Sequence, residues 1–72
     1  MNVSIFGLGY VGLANALLLS QNENVKAYDI VAEKIERLQK KESPIEDREV
    51  HNFLQREDLA IEFIKDFREA VL

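Results

Sequence analysis

The chain has 72 residues, 47% of them hydrophobic and 31% charged, a balance that supports a packed core and argues against disorder. It has no Cys, one His and a net charge of −4. That excludes a disulfide framework, a thiolate zinc site, a cysteine nucleophile and a His-rich metal site within these residues, and makes nucleic acid or an anionic membrane a poor partner. A chain this short buries only about 60% of its unfolded surface, so it reads as one small domain or a piece of a larger one. No run approaches the roughly 18 apolar residues of a membrane span, and Met1-Asn2-Val3-Ser4 lacks the basic start of a signal peptide. The expected location is cytoplasmic.

Val3-Ser4-Ile5-Phe6 is short, β-branched and aromatic and stops at Gly7, which predicts a strand over residues 2–6. Residues 10–21 follow as a helix. Val11, Leu13, Ala14, Ala16, Leu17, Leu18 and Leu19 leave little of its circumference polar, the pattern of a helix buried on more than one side. Gln21-Asn22-Glu23-Asn24 ends it in a polar turn whose Asn residues tolerate the left-handed conformation. Val25-Lys26-Ala27-Tyr28 is the second strand, closed by Asp29. Val31, Ile35 and Leu38 then recur at helical spacing over 31–41, and Lys40-Lys41 suits a helix C-terminus.

Pro44 blocks continuation. Ser43-Pro44-Ile45-Glu46 has the form of a helix start, with Ser43 as N-cap, Pro44 first in the helix and Glu46 completing a capping box. Val50, Phe53 and Leu54 stripe the short helix after it. Arg56-Glu57-Asp58 is a turn. Leu59, Ile61 and Phe63 alternate with Ala60, Glu62 and Ile64, a period of two that predicts a third strand. Asp66-Phe67-Arg68-Glu69 repeats the cap spacing as a new helix begins. Strands alternating with helices predict an α/β fold with parallel strands and right-handed crossovers, spatial order 3-2-1.

Gly7-Leu8-Gly9-Tyr10-Val11-Gly12 reads G-x-G-x-x-G. It directly follows a predicted strand and opens a predicted helix, and Asp29 stands 17 residues after its last Gly, at the end of the next strand. This context turns a weak pattern into a dinucleotide fingerprint. Gly7 allows the tight turn, Gly9 lets backbone approach a pyrophosphate, and Gly12 lets the helix pack close. The N–H groups around Tyr10 and Val11 lie at a helix N-terminus, where the dipole favours phosphate. Asp29 would accept hydrogen bonds from ribose hydroxyls and repel the 2′-phosphate of NADP. The implied cofactor is NAD.

Phe6 through Leu13, Asp29-Ile30-Val31 and Ser43-Pro44-Ile45-Glu46-Asp47 resemble the N-terminus of the UDP-glucose/GDP-mannose dehydrogenase family, over essentially the whole chain. The resemblance implies a parallel-sheet Rossmann-type half domain (βαβαβ), truncated: the first half of an N-terminal NAD-binding domain. Family enzymes oxidise the C6 alcohol of a nucleotide sugar to a carboxylate with two NAD, through a Cys in a C-terminal domain. The resemblance favours UDP-glucose as the substrate of the parent enzyme. GDP-mannose or a UDP-N-acetyl-hexosamine stays open, as does a nucleotide-binding or interaction module without chemistry. It also implies NAD contacts at Val11, Asp29 and Lys34, the last two on the adenosine side. This chain has no catalytic residue of its own, so alone it is expected to be inactive.

Lys34 read without the resemblance is a solvated helix residue, Tyr28 a strand residue and His51 a surface histidine. Glu46, Asp47, Glu49, Glu57 and Asp58 read as a solvated acidic rim. In a full Rossmann sheet strand 1 is central. With only half the fold, its outer edge is unpaired, and self-association of the chain through that edge is expected, most simply as a two-fold dimer with antiparallel pairing or exchanged terminal elements.

Overall fold

The computed structural model describes residues 1–71. Its elements follow the order β1 (Asn2–Phe6), α1 (Tyr10–Leu19), β2 (Asn24–Tyr28), α2 (Ala32–Gln39), α3 (Arg48–Leu54), β3 (Ile61–Ile64) and α4 (Phe67–Ala70). The strands form one parallel sheet, with β2 between β1 and β3. Asn2 pairs with Asn24 and Phe6 with Tyr28, while Val25 pairs with Ile61 and Tyr28 with Ile64. This is the order expected from the alternating pattern.

Period-two alternation sends Val3, Ile5, Val25, Ala27, Ile61 and Phe63 to one face of the sheet. There they meet Leu13, Ala16 and Leu17 of α1, Ile35 and Leu38 of α2, and Val50 and Leu54 of α3 in one core. The opposite face carries Ser4, Phe6, Lys26 and Tyr28, and α4 lies on it. The Ser4 hydroxyl and the Lys26 ammonium donate to the carbonyls of Ala70 and Glu69, taking acceptors that a helix C-terminus leaves free. The Phe6, Tyr28 and Phe67 rings meet edge to face, with centroids 5.4–6.0 Å apart, an arrangement that aromatic quadrupoles favour.

Four sequence expectations are corrected. The helix over 43–54 does not begin at Ser43. Its hydroxyl accepts from the Ile45 N–H at 3.1 Å and donates to the Ile45 carbonyl at 2.6 Å, closing a local turn instead. The N-cap is Asp47, extended at φ −142°, whose carboxylate accepts from the Val50 N–H at 3.0 Å. Aspartate caps as well as serine, and the half-buried Ile45 packs on the core and holds the segment before it in place. The turn after α1 uses no left-handed Asn: Ser20 continues at φ −68°, and right-handed turns carry the chain on to β2.

The one non-glycine residue with positive φ among those described is Lys41, at 62°. It ends α2 in a Schellman motif, with the Glu42 N–H on the Arg37 carbonyl and the Lys41 N–H on that of Leu38. The predicted 31–41 helix therefore stops at Gln39. Nor is α1 buried on more than one side. Leu13, Ala16 and Leu17 are buried, but Val11 and Leu19 remain exposed, and Leu18 stands half exposed in the groove toward α3.

Candidate functional site

The strand-to-helix turn is built by glycines. Gly7, at φ +94°, adopts a conformation that side chains disfavour, and its N–H donates to the Tyr28 carbonyl at 2.8 Å, continuing the ladder from β1 to β2 into the loop. A Cβ on Gly12 would lie 2.1 Å from the Gly7 carbonyl oxygen. The first turn of α1 thus rests directly on the loop backbone, a closeness only glycine permits. At Gly9 the reverse holds: a Cβ there would meet nothing within 4 Å, so the space in front of the loop is open.

The N-terminus of α1 has Gly9 as its cap residue, with no side-chain cap and no acidic residue in its first turn. The first intrahelical bond runs from the Leu13 N–H to the Gly9 carbonyl at 2.9 Å. The N–H groups of Tyr10, Val11 and Gly12 therefore stand outside the helix ladder. Their donors and the positive end of the dipole suit an anion with several oxygens.

Asp29 ends β2 beside this loop and is only 7% exposed. Its Oδ2 accepts from the Leu8 N–H at 2.7 Å and its Oδ1 from the Val31 N–H at 2.9 Å. The Lys34 ammonium, one turn into α2, stands 3.4 Å from Oδ2. Burial pushes the carboxyl pKa upward, but the two backbone N–H groups and Lys34 outweigh it and hold the group below the usual carboxylate range. Asp29 is therefore an anion at neutral pH, with its position fixed.

All seven residues singled out in the sequence fall at this end of the sheet. Gly7, Gly9, Tyr10, Val11 and Gly12 form the loop and first helical turn, Asp29 touches that loop, and Lys34 touches Asp29. Tyr28 is a strand residue in the aromatic cluster, and His51 is exposed on α3. Asp47 does not belong to the solvated acidic rim that its sequence context suggests. Besides capping α3, it accepts the Tyr10 hydroxyl at 2.8 Å. Its N-cap signal, an Asp three residues before Val50, was present in the sequence but lay behind the stronger Ser-Pro pattern.

Comparison with known proteins agrees with this geometry. The chain is 39% identical over 62 residues to a UDP-glucose 6-dehydrogenase of Streptococcus pneumoniae, covering 86% of this chain and 16% of that protein. It is also 39% identical over 72 residues to a UDP-glucose 6-dehydrogenase of Campylobacter jejuni, covering 97% and 18%. The chain thus spans about a sixth of the length of these relatives. A UDP-glucose dehydrogenase of the hyperthermophilic archaeon Pyrobaculum islandicum superimposes with a TM-score of 0.89 at 28% identity, over 96% of this chain and 17% of the other. A GDP-mannose dehydrogenase of Pseudomonas aeruginosa, solved as a ternary complex, gives 0.87 at 35% identity, over 99% and 17%. The family model described as the NAD binding domain of the UDP-glucose/GDP-mannose dehydrogenase family matches residues 1–72, and the chain belongs to that family.

Proposed function

We propose that this chain is the adenosine-binding first half of the Rossmann domain of a UDP-glucose 6-dehydrogenase. In the parent enzyme it would hold NAD for the oxidation of UDP-glucose to UDP-glucuronate. The observation that carries the reading is the Asp29 carboxylate held at the end of β2 against the Gly7–Gly12 loop, beside the uncapped N-terminus of α1. Gly9 leaves room for the pyrophosphate, and the N–H groups of Tyr10, Val11 and Gly12 supply its donors. The Oδ1 atom of Asp29, whose partner among the described residues is the Val31 N–H, keeps a lone-pair position for a ribose hydroxyl. Lys34, at a long 3.4 Å from Oδ2, can turn its ammonium to the same hydroxyls.

When bound, NAD supplies the hydride acceptor. This chain contributes grip and orientation, and with no Cys it holds no thiol nucleophile. The two dehydrogenases to which it is 39% identical favour UDP-glucose over GDP-mannose as the parent's substrate. The test is titration of the intact protein with NAD and NADP, together with turnover of UDP-glucose. Saturable NAD binding tighter than that of NADP is expected, with UDP-glucose-dependent NADH formation. A folded protein that fails to bind NAD overturns the cofactor reading. Turnover of GDP-mannose instead overturns the substrate.

A further inference from the structure

Two side-chain tethers hold the 7–12 loop among the described residues, and only one of them uses the acidic residue of the G-x-G-x-x-G fingerprint. The first is Asp29 on the Leu8 N–H. The second runs from Tyr10, the first residue of α1, to Asp47, 37 positions later, at the N-terminus of α3. Tyr10 is half exposed, and its ring leaves the helix into a groove between α1 and α3 lined by Ala14, Leu18, Asp47, Val50 and Phe53. The Tyr10 hydroxyl donates to Oδ2 of Asp47 at 2.8 Å. Oδ1 of the same carboxylate accepts from the Val50 N–H at 3.0 Å. Asp47 is therefore a fixed post: the cap locks it from the helix side, and the Ser43 turn with half-buried Ile45 locks it from the other.

We propose that Tyr10 and Asp47 are a positioning pair for the dinucleotide, holding the first turn of α1 so that its N–H groups stay aimed at the pyrophosphate. The inference rests on the NAD reading above. Its physical ground is that three of the six loop residues are Gly, which give the chain close approach at the cost of stiffness. Gly9, the α1 cap residue, has no side chain with which to brace the turn. A donor row serves an anion well only when it is preorganised. Asp29 fixes the strand side of the loop, and the Tyr10–Asp47 bond fixes the helix side. The bond also favours the ionised carboxyl of Asp47, whose pKa is lowered by the Val50 N–H first and the Tyr10 hydroxyl second.

The experiment uses the intact protein, unsubstituted and as Tyr10→Phe, Asp47→Ser and the double variant. Phe keeps the ring, and Ser keeps a cap but is too short to reach the hydroxyl. The probes are NAD and ADP-ribose, which carry the pyrophosphate, and adenosine, which does not. Each single substitution is expected to weaken NAD and ADP-ribose by about three- to ten-fold, the range of one surface hydrogen bond. Adenosine affinity should be unchanged, and the double variant should be no worse than the weaker single one. Unchanged NAD affinity in both single variants overturns the pair, as does an equal loss for adenosine, which would mark a merely structural role. No NAD binding by the folded, unsubstituted protein removes the dinucleotide reading itself, and this inference with it.

Discussion

The Oδ2 atom of Asp29 lies 2.7 Å from the backbone nitrogen of Leu8, 21 positions earlier in the chain. Leu8 is fully buried, so its N–H has no access to water and depends on that carboxylate. The residue that would read the cofactor's ribose is thus also the residue that shapes the phosphate loop. Any substitution at Asp29 acts on folding and on binding together.

Asp29→Ala should therefore lower stability by about 1–3 kcal/mol, the cost of leaving a buried N–H unsatisfied. It should also weaken NAD, and it should narrow the preference for NAD over NADP, because Lys34 loses its counter-ion and can meet a 2′-phosphate. Urea melts and paired titrations check both effects. An unchanged NAD/NADP ratio would count against the role.

The pH dependence follows from the same group. Its folded-state pKa is depressed, so its stabilising contribution is complete above the unfolded value of about 3.9. The contribution drains away as pH falls through the lower folded value. Melting temperature should therefore decline below about pH 4 more steeply for the unsubstituted protein than for Asp29→Ala. Parallel curves for the two would show that Asp29 is not the group responsible.

Gly9 and Gly12 separate binding from stability. Gly12→Ala drives a Cβ to 2.1 Å from the Gly7 carbonyl oxygen, an overpacking that should cost about 1–3 kcal/mol or more. Gly9→Ala meets nothing in the chain, and its φ of −69° is ordinary for any residue. Its melting temperature should hold within a few degrees while NAD affinity falls by about ten-fold, roughly 1.4 kcal/mol. Thermal melts beside calorimetric titrations distinguish the two. Loss of stability without loss of affinity at Gly9 would contradict the open cradle.

The outer edge of β1 pairs with no strand among the described residues, whereas the edge of β3 has the Gln39 amide on the Phe63 carbonyl at 2.8 Å. An open row of N–H and C=O groups beside Val3 and Ile5 invites pairing. The 72-residue chain alone should self-associate at micromolar to millimolar concentration. Sedimentation equilibrium showing a folded, strictly monomeric species across that range would refute this.

The fold was legible because both periods are clean. Ile61 and Phe63 alternate in a strand, and Ile35 and Leu38 recur in a helix, each set facing the core. The glycine spacing and Asp29 marked the candidate site: Gly7 takes a positive φ, Gly12 has no room for a Cβ, and Asp29 holds the Leu8 N–H. What stayed hidden were choices between near-equal local options. Ser43 and Asp47 are equally good caps, and packing of Ile45 decided between them. Lys41 took a left-handed conformation that composition assigns to Gly or Asn. The Tyr10–Asp47 bond joins residues whose proximity depends on where α3 docks, which spacing does not encode.

Parallel pairing also has a kinetic consequence. β1 meets β2 at a sequence separation of 22, Asn2 with Asn24, while β2 meets β3 at 36, Val25 with Ile61. Closing the shorter loop costs about 0.4 kcal/mol less chain entropy. The β1–α1–β2 unit, which already contains the glycine loop and ends at Asp29, is therefore expected to dock before β3 is added. The nucleotide cradle would then be the seed of the fold rather than its finishing touch. Folding kinetics of Val25→Ala and Phe63→Ala measure this order: Val25→Ala should slow folding, Phe63→Ala should mainly speed unfolding, and the reverse pattern would place the nucleus at β3.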